Sequence, residues 1–297
     1  MVSLKDPWVT SACAVSAVAL WGLAFPLIQD GLAFFSPVML GFLRFVFASV
    51  LIVVVIALKF PICKIADVLR REWKPLALFG VLYVAVPNIA QNIGLQHGTS
   101  SIASVIQSSG PIMTLVFAAI LLSEKLTSVK ALGTGIAMTG TILLVASGGL
   151  SLRDEDFVSN ILILISATSY GPAWVSAKRM LQRNPPLLVI GLSLVLGTAL
   201  LSLVVPLEPE SAAIFNWDSL TNLILLGFLC GSGSTVLYLF SLEREEVSRM
   251  AFFIYLMPIF ASAFAWVLRG EGVALWTAVC GLVIVIGIAV ATRVQRG

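Results

Sequence analysis

One stretch of this chain recurs 147 residues further on without a gap. Ser101…Pro111-Ile112…Phe117-Ala118…Glu124…Ala131…Gly140 returns as Ser248…Pro258-Ile259…Phe264-Ala265…Glu271…Ala278…Gly287. The correspondence continues upstream through Gly80 and Gly227, Leu82 and Leu229, and Leu95 and Leu242. A period near half of 297 residues marks a duplicated unit, so the fold must be assembled from two equivalent halves.

Composition says what the unit is made of. Apolar residues make up 59% of the chain and charged residues 11%, and the mean hydropathy is +1.03. A soluble domain carries about 25% charged residues. The long apolar runs therefore read as transmembrane helices, each needing roughly 20 residues. Ten such spans are expected, at 8–29, 37–58, 74–94, 101–122, 129–147, 159–178, 186–206, 220–242, 248–268 and 273–293. The longest polar stretch reads as a loop around 59–73. The apolar run after Trp8 is long enough to span and has no small-residue cleavage site after a short core, so it reads as the first helix and not as a signal peptide.

Charge supports the count. With odd-numbered spans running outward, fifteen of the 18 Lys and Arg fall on the cytoplasmic side. They form clusters at Lys5, at Lys59 to Lys74, at Lys125 and Lys130, at Lys178 to Arg183, at Arg244 and Arg249, and at Arg293 and Arg296. Arg153 and Arg269 lie outside, and Arg44 lies within the second span. This is the positive-inside bias, and it places both termini in the cytoplasm. The net charge of +3 thus marks topology and not nucleic-acid binding. Five spans per unit is an odd number, so the copies (7–147 and 157–294) must lie antiparallel across the bilayer. The expected fold is an all-α integral membrane protein of ten transmembrane helices, arranged as two inverted-topology five-helix repeats. Such repeats permit two mirror-related states and place a substrate site between them.

Polar, Gly and Pro residues in mid-span are the informative ones, because unsatisfied backbone is costly there. The third span carries Tyr83, Pro87, Asn88, Gln91 and Asn92. The eighth carries Gly231, Ser232, Gly233, Ser234, Thr235 and Tyr238, with Thr235 matching Asn88 and Tyr238 matching Gln91. Both halves are weakened at one depth. Either they line a cavity or they pack tightly through small residues. The fourth span presents Gln107, Ser108 and Pro111, and its mate presents Phe252, Tyr255 and Pro258. The prolines kink these helices, either for a cavity or for packing. Trp21-Gly22 aligns with Tyr170-Gly171 at an offset of 149, with Pro26 following in the first span and Trp174 in the sixth. Trp21 and Trp174 lie too deep for an interfacial belt, so they offer flat faces either to a substrate or to neighbouring helices.

The substrate-binding candidates are therefore Trp21, Tyr83, Asn88, Gln91, Gln107, Ser108, Trp174, Tyr238, Phe252 and Tyr255. The gating or hinge candidates are Pro26, Arg44, Pro87, Pro111, Gly171, Lys178, Gly231, Gly233 and Pro258. Arg44 serves structure, gating or substrate contact, and Lys178 guards the inner mouth. No Asp or Glu lies in mid-span, so transport driven by the substrate gradient is expected over obligate proton antiport. The cysteines Cys13, Cys63, Cys230 and Cys280 lack metal-ligand spacing, and no metal or cofactor is expected. The single histidine, His97, and the missing mid-span acids argue against a membrane-embedded enzyme. An open channel fits poorly with inverted, broken halves.

Trp21-Gly22, Arg44-Phe45, and the patterns Pro111…Glu124 and Pro258…Glu271 together resemble the drug/metabolite transporter superfamily, in its ten-helix branch with two EamA domains. The resemblance covers nearly the whole chain. It implies export of neutral and aromatic amino acids and related metabolites across a bacterial inner membrane, by a monomer whose only partners are the small-molecule substrate and the lipid bilayer. Efflux of drugs or other metabolites, with or without proton coupling, is the alternative. The second half departs from the pattern, with Tyr170-Gly171 in place of Trp-Gly and no counterpart of Arg44 in the seventh span.

Overall fold

The computed structural model describes residues 7–97, 107, 109–146, 157–208, 213–269 and 275–293. Its helices are α1 (Pro7–Gly31), α2 (Pro37–Lys59), α3 (Ile62–Gly80), α4 (Val86–His97), α5 (Gly110–Leu122), α6 (Ser128–Ala146), α7 (Phe157–Leu181), α8 (Pro186–Ser202), α9 (Trp217–Ile224), α10 (Ser234–Arg244), α11 (Val247–Ile254), α12 (Met257–Arg269) and α13 (Leu275–Arg293). Two π-helical segments, Val81–Ala85 and Leu225–Gly233, join α3 to α4 and α9 to α10. Among the described residues the only β pairing is a single bridge between Phe35 and Ala213.

Among the described residues, seven helices are long and apolar enough to cross a membrane: Trp8–Gly31, Pro37–Lys59, Ile62–Gly94, Val158–Leu181, Pro186–Leu207, Trp217–Arg244 and Val247–Leu268. Gly110–Leu122 and Val279–Ala291 are apolar but shorter. Of the expected fourth span, residues 101–106 and 108 lie outside the described residues. Proline opens α2, α5 and α8, where its missing N–H leaves no bond unmade.

The loop expected around 59–73 is instead mostly helical. Residues 62–71 form the first part of α3, and a kink at Glu72 (φ −115°, ψ 15°) precedes the membrane-crossing part. The polar composition suggested a loop, but the stretch is amphipathic. Val68 is buried and Ile65 packs on the core, while Arg71 pairs with Asp67 on the exposed face.

Close helix crossings come in matched pairs. A Cβ on Gly140 would stand 3.0 Å from Ile284 N and 3.1 Å from Cys280 O. A Cβ on Gly287 would stand 2.4 Å from Ala137 N and 2.8 Å from Gly133 O. These contacts interchange at the 147-residue offset, and the index rises on α6 as it falls on α13. Gly80 meets Ser193 O and Gly197 N on α8, and Gly227 meets Arg44 O and Ala48 N on α2. Gly22 packs against Met257 and Phe260 of α12, and Gly171 against Met113 and Phe117 of α5. Small residues let backbones touch where lipid supplies no hydrophobic drive for association.

Candidate functional site

The two π segments are the local origin of the site. Pro87 cannot donate to the carbonyl one turn upstream, and the helix widens over Val81–Ala85 just before it. Asn88 then donates its Nδ2 to Val84 O at 2.7 Å. In the second half the widened turn is rich in Gly and Ser, and Thr235 donates its hydroxyl to Gly231 O at 2.6 Å. These donors and acceptors occupy equivalent positions of the two halves, so the same side-chain-to-carbonyl bond recurs in both weakened turns. Because the Thr235 proton is committed to Gly231 O, Tyr83 donates its O–H to Thr235 Oγ1. That bond joins the two breaks directly.

Beside this junction lies a cavity with about 80 Å³ of room for the centres of water-sized molecules. This is space for roughly half a dozen waters, the scale of a small metabolite. It is lined by Trp21, Phe25, Arg44, Phe45, Tyr83, Asn88, Gln91, Gln107, Gly110, Pro111, Tyr170 and Trp174, with Ala24, Ile28, Ile254 and Met257. The contributions of α1, α2 and α4 come from the halves of those helices nearest the 32–36 turn or, in α4, from its middle. Among these lining residues there is no Asp or Glu.

An aromatic cluster drawn from α1, α3 with its π segment, α7 and α10 underlies the cavity. Trp174 lies 4.5 Å from Tyr238, 5.1 Å from Tyr83 and 5.8 Å from both Trp21 and Phe79, centroid to centroid. Trp21 also meets Tyr238 at 4.9 Å. Such ring pairs add about 0.5–1.5 kcal/mol each beyond their buried area.

Further along the bundle, α6, α7 and the segment after α5 converge on the connection between α10 and α11. Lys178 donates its Nζ to the carbonyls of Leu242 at 2.7 Å and Glu245 at 2.6 Å. Lys130 donates to Glu246 at 2.7 Å and to Ser248 at 2.9 Å. Glu124 accepts the N–H groups of Val247 and Ser248, both at 2.9 Å, and so caps α11. The left-handed Ser123 (φ 56°) ends α5 and turns the chain into Glu124.

Of the expected binding residues, Trp21, Tyr83, Asn88, Gln91, Gln107 and Trp174 line the cavity, as do Arg44 and Pro111 from the hinge set. Tyr238 lies beneath it in the ring cluster. Phe252 and Tyr255 do not reach it. They are buried in a separate cluster with Leu115, Ala137, Cys280 and Ile284. Ser108 lies outside the described residues. Pro258 follows a break at Tyr255-Leu256 between α11 and α12, and Pro26 and Gly171 sit inside continuous helices. Gly231 and Gly233 lie in the second π segment. Lys178 ties backbone carbonyls and lines no part of the cavity. Tyr170 and Phe25 were missed as lining residues. Both were within reach, because Tyr170 matches Trp21 and Phe25 matches Trp174 at one helical offset.

The EamA-like transporter family matches the chain twice, over residues 9–146 and 158–293. This chain belongs to that family. An "Uncharacterized transporter" of Archaeoglobus fulgidus is 27% identical over 295 residues, covering 96% of this chain and 98% of the relative. A "Probable terminal-alkyne amino-acid exporter" of Streptantibioticus cattleyicolor is 24% identical over 257 residues, covering 86% of this chain and 84% of the relative. A crystal structure at 19% identity superposes with a TM-score of 0.82 over 97% of both chains, which establishes a shared fold. The chain is a multi-pass membrane transporter, and neither its family nor these relatives are enzymes.

Proposed function

We propose that this EamA-family protein exports neutral and aromatic amino acids and related metabolites across a bacterial inner membrane by alternating access. The cavity carries the reading. Its walls are aromatic rings and neutral amides, no carboxylate faces it, and a ring cluster underlies it on one side. Rings suit an apolar side chain and amides suit a polar head. Apolar walls separate neighbouring side chains by only about 1–3 kcal/mol, so a broad range of amino acids is expected. The export direction is supported by the relative named as an amino-acid exporter and by the resemblance to the bacterial aromatic amino acid exporters of this branch.

On this reading α5, α6 and α13 complete ten spans with the seven long helices. Residues 7–147 and 157–294 form the inverted repeats, both termini are cytoplasmic, and the monomer is the working unit. The interchanging glycine contacts support it, because equivalent helices α6 and α13 cross antiparallel. So does the matched pair of bonds from Asn88 and Thr235. The missing carboxylate favours facilitated transport over obligate ion coupling. Purified protein in liposomes tests this with labelled amino acids, with and without a pH gradient. Neutral amino acids should equilibrate whether or not the gradient is present. Flux that vanishes with the gradient would remove the uncoupled mechanism, and no flux of any amino acid would remove the substrate class.

A further inference from the structure

We propose that Arg44 anchors the carboxylate of the transported solute, with Gln107 taking a single N–H donor from the same molecule. The proposal rests on the cavity being the transport site and deepens that reading. Arg44 is 8% exposed and lines the cavity. Its guanidinium offers five N–H donors, and its one hydrogen bond goes from Nη2 to Cys230 O at a long 3.3 Å. Its Nε is buried without a partner, and no carboxylate among the described residues pairs with it. The Phe45 ring stands 5.3 Å away and closes one side. A buried charge left without a counter-charge costs several kcal/mol, so a site that holds one is built to receive an anion.

Two further orphans complete the pattern. Trp174 Nε1, on a side chain 1% exposed, is a donor with no partner. Gln107 Oε1, on a side chain 6% exposed, is an acceptor with no partner among the described residues. The residues lining the cavity therefore include a charged donor, an indole donor and an amide acceptor, each unfilled among the described residues. The complement is a solute with a carboxylate, one N–H donor and an apolar tail. Asn88, which also lines the cavity, has already committed an amide hydrogen to Val84 O. A lipophilic cation would meet Arg44 with its own charge and no acid to offset it, and like charges forced together in a desolvated site are strongly disfavoured.

The test uses three probes of one shape on the purified, detergent-solubilised wild type: L-phenylalanine, 3-phenylpropionate without the amine, and phenethylamine without the carboxylate. Binding is followed through the fluorescence of the cavity tryptophans. Phenylalanine and 3-phenylpropionate should bind, with phenethylamine at least tenfold weaker. Arg44→Gln should weaken both carboxylates at least tenfold and strengthen the amine, whose repulsion by the guanidinium is gone, and Arg44→Lys should recover part of the loss. Gln107→Leu should weaken phenylalanine and spare 3-phenylpropionate. Variants are read only if monodisperse, and the wild-type ranking stands without them. Phenethylamine binding as tightly as phenylalanine would overturn the proposal, as would an unchanged ranking in Arg44→Gln. Binding of 3-phenylpropionate without any amino acid would keep the anchor and sink the amino-acid function. Amino-acid flux surviving in Arg44→Gln would do the reverse, and binding of none of the three would end both.

Discussion

Replacing Gly287 with alanine probes the crossing on which the two-fold reading depends. The new Cβ would stand 2.4 Å from Ala137 N, 2.8 Å from Gly133 O and 2.9 Å from Ala137 Cα. All three are backbone atoms, so no side chain can turn aside. Ordinary contact begins at 3.4 Å, so α6 and α13 must part by about 1 Å at this point. Overpacking of this kind costs about 1–3 kcal/mol. Alanine returns up to about 1 kcal/mol through its better helix propensity. The net loss is about 0–3 kcal/mol, a fall of up to roughly 12 °C in Tm at about 2–4 °C per kcal/mol; against Gly135→Ala, which has the propensity gain alone, the deficit is the full cost of about 1–3 kcal/mol. Gly140→Ala is the equivalent change on α6. Its contacts lie at 2.9–3.1 Å, and the nearest is the side-chain Cγ1 of Ile284, so a loss of the same sign and smaller size is expected. Gly135→Ala is the control, because nothing lies within 4 Å of its Cβ. It should hold or raise Tm. Thermal scans of detergent-solubilised protein by fluorescence-detected chromatography give all three values. A Gly287→Ala protein as stable as Gly135→Ala would refute the close crossing.

Three other outcomes follow from the same geometry. Glu124→Gln leaves one side-chain oxygen for two helix N–H groups, so α11 loses one charge-assisted cap; a loss of about 1–2 kcal/mol should appear in the same thermal scan. Asn88→Leu strips one donor from Val84 O and should cost about 1–3 kcal/mol; Thr235→Val strips one from Gly231 O and also leaves the Tyr83 hydroxyl unpaired, so it should cost at least as much, and a cost confined to Asn88 would deny their equivalence. Cys63 is exposed near the start of α3, while Cys230 and Cys280 are buried. A membrane-impermeant maleimide should therefore label the protein in inverted vesicles and spare Cys63 in intact cells, and labelling from outside would reverse the proposed topology.

How far these features were legible in the sequence depended on whether chain spacing or spatial neighbours decided them. The α2 span emerges within one residue of expectation, because Arg44 is the only charged residue within its apolar run, and α7 within three, although Ser, Thr, Gly and Pro break up its apolar pattern. Residues 62–71 were misread because polarity was weighed above the spacing of Ile65 and Val68, which puts both on one helical face. Pro87 correctly marked a weakened turn, but the weakness appears as a π segment upstream of it, where the missing N–H is felt. Repeat logic points to Phe252 and Tyr255 as lining residues, whereas the structure buries them in a separate cluster. Their neighbours are Leu115 and Ile284, and no spacing rule identifies partners so distant in the chain. Lys130 was counted only as a topological charge, yet it is 4% exposed and bound to Glu246 and Ser248.

The symmetry of the scaffold and the asymmetry of the cavity answer to different demands. Residues that set helix spacing repeat closely: Gly140 with Gly287, Gly80 with Gly227, Gly22 with Gly171. Apart from the aromatic pairs Trp21 with Tyr170 and Phe25 with Trp174, residues that line the cavity do not. Gln91 stands opposite Tyr238 in the repeat, Gln107 opposite Ile254, Gly110 opposite Met257, and Tyr83 opposite Cys230. Matched crossings let one set of helix contacts serve two mirror-related states, since each crossing has an equivalent to exchange with. Matched lining would give both mouths the same chemistry. Here the first half brings Arg44, Asn88, Gln91 and Gln107 to the cavity, while Tyr238 and Thr235 of the second half are fully buried. On the alternating-access reading, the polar end of a solute is therefore held by the first half in the state seen here. The opposite state would have to loosen the Lys178, Lys130 and Glu124 bonds around residues 242–248 before a path could open on that side.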